Sequence, residues 1–340
     1  MVPYSAVQAS NARIATALPA DLTAVFVGGT SGIGEYSLKQ FAKHTVRPRV
    51  YFIGRSQEAG DRIAKECLAL NPSGTFKFIK RDTSLVRNVD ELCQELKSQE
   101  KAINLLFLTT GTLDFYTKTS EDLGLTVALA HYTRARFIHN LLPEIQAASS
   151  LKRVVSVYAG TKEGPVFLDH LENYDKIPVI KGRGHAASLV TLGMETLAAM
   201  APDVTLMHTY PGPVKSGIGR ELQGITGTIA RVVFGVFGPL FNVPTEESGA
   251  YHLFFATSAK YPSKDSKGVQ EGVPLGDNIA IARGTDGKSG SGMYCVDQKG
   301  ESAGTNVEQL LQSFRDDGTK EKVWKHTDKE WQRILGTAKA

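Results

Sequence analysis

From Thr23 onward the chain alternates short apolar runs with amphipathic stretches, and that rhythm limits the fold more than any other feature. TAVFV (23–27), RVYFI (49–53), TFKFI (75–79), INLLFL (103–108), RVVSV (153–157), VTLMHT (204–209) and GMYCV (292–296) read as strands. Helical patterns lie between them: EYSLKQFAKH, a stretch from about Glu58 to Leu70, VDELCQELKSQ, a long one from roughly Glu121 to Ala147, HAASLVTLGMETLAAM and TEESGAYHLFFATS. Runs that are apolar on both faces need cover on both faces, which a parallel sheet with crossover helices supplies. The expected class is α/β, a doubly wound parallel sheet of about seven strands in one domain spanning residues 1–340.

After Gly212 the rhythm breaks. GITGTIARVVFGVFGPLFNV (224–243) is about as long as a membrane span, but Arg231 lies inside it and Gly, Thr and Pro interrupt it. The segment 213–245 therefore reads as an apolar lid over a substrate pocket. No integral span is expected; attachment to a membrane surface stays an alternative. Residues 300–340 read as a helical C-terminal tail, with Thr305 and Glu308 of TNVEQLLQSF spaced as a capping box. The N-terminal stretch carries no charged start followed by an apolar run. Cys67, Cys93 and Cys295 form no metal or disulfide pattern, which points to a reducing, cytoplasmic setting. A net charge of +4, spread along the chain, argues against a nucleic-acid partner.

VGGTSGIG (27–34) joins the first apolar run to the first helical pattern. Glycines there let the backbone approach a pyrophosphate whose charge rests on the helix N-terminus. Gly28, Thr30, Ser31, Gly32, Ile33 and Gly34 are the candidate phosphate cradle of a Rossmann-type sheet. Arg55 follows the second strand, where an acidic residue would hold the ribose hydroxyls of NAD. An arginine suits the additional phosphate of NADP(H) instead. Asp82, in KRDTS with Thr83, is placed to meet the adenine amino group, or is a turn aspartate.

These residues resemble the short-chain dehydrogenase/reductase family from about Thr23 to Val296. VGGTSGIGE is similar to the family's Thr-Gly-x-x-x-Gly-x-Gly turn, with Val27 for the threonine, and TTG (109–111) stands where Asn-Ala-Gly is usual. YPGPVKS resembles the Pro-Gly segment that wraps the nicotinamide. The resemblance thus adds Gly111, Pro211, Gly212, Val214 and Ser216 to the cofactor site. It also allows a homodimer through the helices after the fourth and fifth strands. The overall look is similar to fungal members associated with secondary metabolism.

The resemblance also implies a Tyr-x-x-x-Lys pair on the helix after the fifth strand, and here it fails. Anchored on Leu197–Ala198, the tyrosine position falls at Arg183 and the lysine position at Ala187. The serine position falls at Ala159 and the asparagine position near Ala130 or His131. Tyr158 and Lys162 keep the spacing but follow a strand and include Gly160, so they are not that pair. Among Tyr158, His185, Lys181 and Arg183, the candidates for catalysis are Tyr158 and His185; Ser156, Tyr174 and Asp169 read as structural or solvated. The expected activity is an NADP(H)-dependent oxidoreductase without the usual acid, acting on a bulky apolar small molecule. An isomerase or cyclase on the same scaffold is the alternative, and a silent binding protein a third.

Overall fold

The computed structural model describes residues 1–174, 176–214, 243–266, 268–276 and 278–336. The seven expected strands are present: β1 (Thr23–Val27), β2 (Arg49–Gly54), β3 (Thr75–Lys80), β4 (Leu105–Leu108), β5 (Arg153–Val157), β6 (Thr205–Thr209) and β7 (Met293–Val296). They form one sheet in the order β3-β2-β1-β4-β5-β6-β7. Every neighbouring pair is parallel. Strand order reverses between β1 and β4, which opens a crevice at the carboxyl ends of the strands.

The helices, in chain order, are α1 (Tyr4–Ala12), α2 (Ile14–Ala17), α3 (Gly32–His44), α4 (Gln57–Leu70), α5 (Val86–Gln99), α6 (Leu125–Val127), α7 (Thr133–Gln146), α8 (Val179–Met200), α9 (Thr245–Thr257), α10 (Thr305–Asp316) and α11 (Thr319–Leu335). Side-chain alternation along β1 divides the core. Val25 and Val27 join the cluster that includes Val89 and Leu92 of α5, Ile138 of α7 and Leu189 of α8. Ala24 and Phe26 join the opposite cluster, with Leu38 and Phe41 of α3 and Phe254 of α9.

Four features differ from the sequence expectation. First, α1 precedes the first strand, and Tyr251 of α9 holds the chain start through a hydrogen bond to the Val2 carbonyl at 2.8 Å. Second, the long helix is interrupted by a π-helical turn at Ala128–Tyr132. In the widened turn Thr133 N–H donates to Ala128 O, and side chains add to the carbonyls there. Thr133 Oγ1 donates to Ala128 O (2.9 Å) and Arg134 Nε to Leu129 O (3.0 Å). Third, Thr305 and Glu308 do not form a capping box. Gly304 occupies the cap position, Thr305 is already helical, and Glu308 accepts from Arg283 Nε at 2.5 Å.

Fourth, the tail is a cover. Trp331 and Ile334 of α11 belong to the core cluster of α5, α7 and α8. Trp331 Nε1 donates to Tyr132 O (3.2 Å), and Arg136 lies over the Trp331 ring at 5.1 Å. Tail residues thus take up apolar surface of the helices after β4 and β5, so a homodimer through those faces would have to displace α11. The ends of the expected lid are held together: Val214 bridges Val243, whose N–H donates to Pro213 O at 2.8 Å. Residues 215–242, and with them Ser216, lie outside the described residues. No helix among the described residues is long and apolar enough to cross a membrane.

Candidate active site

The glycine turn leaves β1 at the edge of the crevice. Gly28 has φ +88° and Gly32 φ +58°, the left-handed region that other residues enter at a cost. A Cβ on Gly34 would strike the Gly28 carbonyl oxygen, so α3 can approach the turn only with glycine there. Gly28 N–H donates to Ile53 O at 3.0 Å, which ties the turn to the end of β2. Thr109, just past β4, fastens the turn to the neighbouring strand. Its hydroxyl reaches the carbonyls of Val27 and Gly28, each at 3.1 Å. Thr30, Ser31 and Ile33 line the same turn and are half-buried. The result is a close-approach backbone cradle at a helix N-terminus, and a dinucleotide pyrophosphate fits its chemistry.

Arg55 follows β2 and is exposed. Asp82 is exposed as well, and its carboxylate accepts from Ser84 N at 2.9 Å, the turn-aspartate arrangement; Thr83 beside it is buried. Gly111, Pro211, Gly212 and Val214 are half-buried beyond β4 and β6. Gly212 takes φ +70°. The candidate cofactor residues within the described chain therefore gather beyond the carboxyl ends of β1, β2, β3, β4 and β6.

On the chemical side, Ala159 and Ala187 are buried while Arg183 is exposed on the first turns of α8. Lys162 is not paired with Tyr158; its ammonium lies over the Tyr210 ring at 4.9 Å. Tyr158, one residue past β5, is half-buried and, like Phe115, Val166 and Phe167, packs against the core cluster of α5, α7 and α8. Burial pushes its phenol up to about 12, against the opposing pull of Arg134 and Arg183. The phenol is thus neutral at pH 7.

His185 behaves otherwise. Its Nδ1 accepts from Phe167 N (3.1 Å), and Nε2 faces His170 O (3.3 Å). The ring is fully buried, and burial drives its pKa down to about 4. Both nitrogens are occupied by the loop before α8, so His185 clamps that loop and has no nitrogen left for substrate. The expectation of a catalytic His185 is corrected on this ground.

Sequence reasoning passed over two features and read a third, Tyr174, only as structural or solvated. The Arg134 guanidinium is buried against the ends of β4 and β5. Nη1 donates to Ser156 Oγ (2.7 Å), Val157 O (3.0 Å) and Leu108 O (3.4 Å), and Nη2 donates to Thr110 O. A signal was present: Arg134 shares helical spacing with the buried Ile138, Leu141 and Ile145, which puts an arginine on the core face.

The second feature is a closed network under Tyr158. Ala159 N donates to His208 Nε2 (3.0 Å), which leaves the proton on Nδ1, 2.8 Å from Thr191 Oγ1. Thr191 in turn donates to Glu163 Oε1 (2.7 Å), and Cys295 Sγ donates to the same oxygen (3.1 Å). Glu163, His208 and Cys295 have ligand atoms within 4.8 Å of one another, but the Thr191 hydroxyl already bridges them as a hydrogen-bonding hub. The third is Tyr174, whose buried hydroxyl has no hydrogen-bond partner among the described residues.

No protein-family model matches the chain. Among curated proteins it is 39% identical over 331 residues to an oxidoreductase of Emericella nidulans, covering 96% of this chain and 97% of that one. It is 34% identical over 325 residues to an oxidoreductase of Emericella variicolor, covering 94% of each. A short-chain dehydrogenase/reductase of Stachybotrys chartarum is 28% identical over 331 residues, with 90% of each chain covered. Among solved structures, the L-sorbose reductase of Gluconobacter frateurii, complexed with NADPH and L-sorbose, shares the fold. Its TM-score is 0.54 at 14% identity, covering 77% of this chain and 97% of that one. The glycine cradle at the switch point, the all-parallel seven-stranded sheet and these full-length relatives agree: the chain belongs to the short-chain dehydrogenase/reductase family and is an oxidoreductase of that type.

Proposed function

We propose that this protein is an NADP(H)-dependent oxidoreductase that reduces a bulky apolar small molecule in secondary metabolism, with Tyr158 as proton donor. The cradle of Gly28, Gly32 and Gly34, followed by Arg55 after β2, is the observation that carries the cofactor assignment. Those residues would hold the pyrophosphate, and Arg55 the phosphate on the adenosine ribose. When bound, the cofactor supplies hydride. Tyr158 Oη then gives its proton to the substrate oxygen, and the electron pair stays on the phenolate until solvent returns a proton. The half-buried apolar Phe115, Val166 and Phe167, which pack against the same core cluster as Tyr158, support the reading of an apolar substrate.

Titration with NADPH and separately NADH, followed by nicotinamide fluorescence, tests the cofactor. Tight NADPH and weak NADH binding is expected; binding of neither would overturn the assignment. The alternative, an isomerase or cyclase on this scaffold, is separated by NADPH consumption during turnover.

A further inference from the structure

Arg134 is 2% exposed, and burial pulls its pKa down to about 10. A guanidinium in that position ordinarily stands against a carboxylate, because an uncompensated buried charge is expensive. Among the described residues none is paired with it. Its donors go to four backbone carbonyls and one hydroxyl, all neutral. The remaining neighbour is the Tyr158 ring, with the guanidinium carbon 5.6 Å from its centroid.

His208 is stacked on the Tyr158 ring as well, at 6.3 Å and an interplanar angle of 12°. That imidazole cannot supply charge. Its Nε2 accepts a backbone hydrogen bond and burial lowers its pKa, although Glu163 pulls the other way. The groups that face Tyr158 are therefore Arg134 from α7, the exposed Arg183 from α8, His208 from β6 and the phenol of Tyr174 from the loop before α8. Only Arg134 combines a permanent charge with full burial, where screening by solvent is weakest.

We infer that Arg134 is the fixed cation of the active site, a positioning residue that stabilises the phenolate Tyr158 leaves when it gives up its proton. This deepens the reading of Tyr158 as proton donor and rests on it. The geometry gives the charge a direction. The carbonyls and Ser156 hold the guanidinium at the ends of β4 and β5, and the aromatic face is attractive to a cation even while the phenol is neutral. Once the proton leaves, the same contact becomes an attraction between opposite charges in a water-poor setting. Arg183 reinforces the effect from the surface.

The test is a titration that needs no substrate. Difluorotyrosine, whose phenol titrates near neutrality, is incorporated at position 158 and followed by fluorine NMR. Arg134→Met should raise its pKa by about one unit or more, as expected for loss of a nearby opposite charge. Arg134→Gln keeps donors but drops the charge and should raise it similarly, whereas Arg134→Lys should restore most of the difference. An unchanged pKa in folded Arg134→Met or Arg134→Gln would overturn the inference. Should these variants fail to fold, the wild-type background still decides. The probe at 158 should titrate below the same probe at buried Tyr174, whose surroundings contain other phenols rather than a cation; the reverse order would overturn it. Failure here leaves the proton-donor reading intact, which falls instead if Tyr158→Phe retains full turnover.

Discussion

Arg134 and Arg153 are buried alike, 2% and 1% exposed, and burial lowers both to about 10. Yet they serve opposite ends of one strand. Arg153 opens β5 and Arg134 grips its close, about 13 Å away at the usual rise per residue. Arg153 donates to Phe255 O (3.1 Å) and Ser258 O (3.3 Å), the last carbonyls of α9 and its cap, and to Glu271 O (2.7 Å). The negative end of the α9 dipole helps to neutralise it. Arg134 faces strand ends and an ionisable ring. The same residue type thus supports the fold at the amino ends of the strands and the chemistry at their carboxyl ends. Burial alone does not distinguish the two tasks; the neighbours do.

The sharpest way to break this comparison is at Tyr158. Tyr158→Phe should lower turnover by about two to four decades while NADPH binding holds, as loss of a general acid does; steady-state kinetics with fluorescence titration checks it. Arg153→Met should cost about 3 kcal/mol of stability, since three buried carbonyls lose their donor. Urea unfolding would show the loss, and the pKa of the probe at position 158 should not move.

Acid probes both ends together. Burial drives the pKa of His185, on α8, to about 4, and that of His252, on α9, to about 4 as well. The unfolded chain therefore binds more protons than the folded one between roughly pH 6.5 and 4. Stability is fully present above that window and is lost as pH falls through it, on the order of 3 kcal/mol for His185. The urea midpoint should drop between pH 7 and 5, and His185→Gln should flatten that slope. The smallest expected effect is at Arg55. Arg55→Asp should weaken NADPH about tenfold through loss of a charge-assisted contact, with the preference moving toward NADH.

Much of the sheet was legible in the amino-acid pattern alone. TAVFV and RVVSV coincide with β1 and β5 residue for residue, because strands covered on both faces are buried throughout and read as mainly apolar, β-branched runs. The glycine cradle was legible for a similar reason. Where backbone meets backbone at Gly28 and Gly34, a side chain has no room, and sequence records such exclusions directly. His185 misled because a histidine at a helix start looks alike whether its nitrogens face a ligand or, as here, the loop of Phe167 and His170.

The amino-acid sequence by itself determined the alternation and the glycine-rich turn after β1, since each follows from local periodicity or spacing. Only the tertiary structure decided what Arg134 does, what Glu163, Thr191, His208 and Cys295 build, and where the tail lies. Those features join residues up to about two hundred positions apart, as Trp331 joins Tyr132. The energy of a buried charge or hydroxyl depends on the partners that folding brings to it, and no local pattern names them.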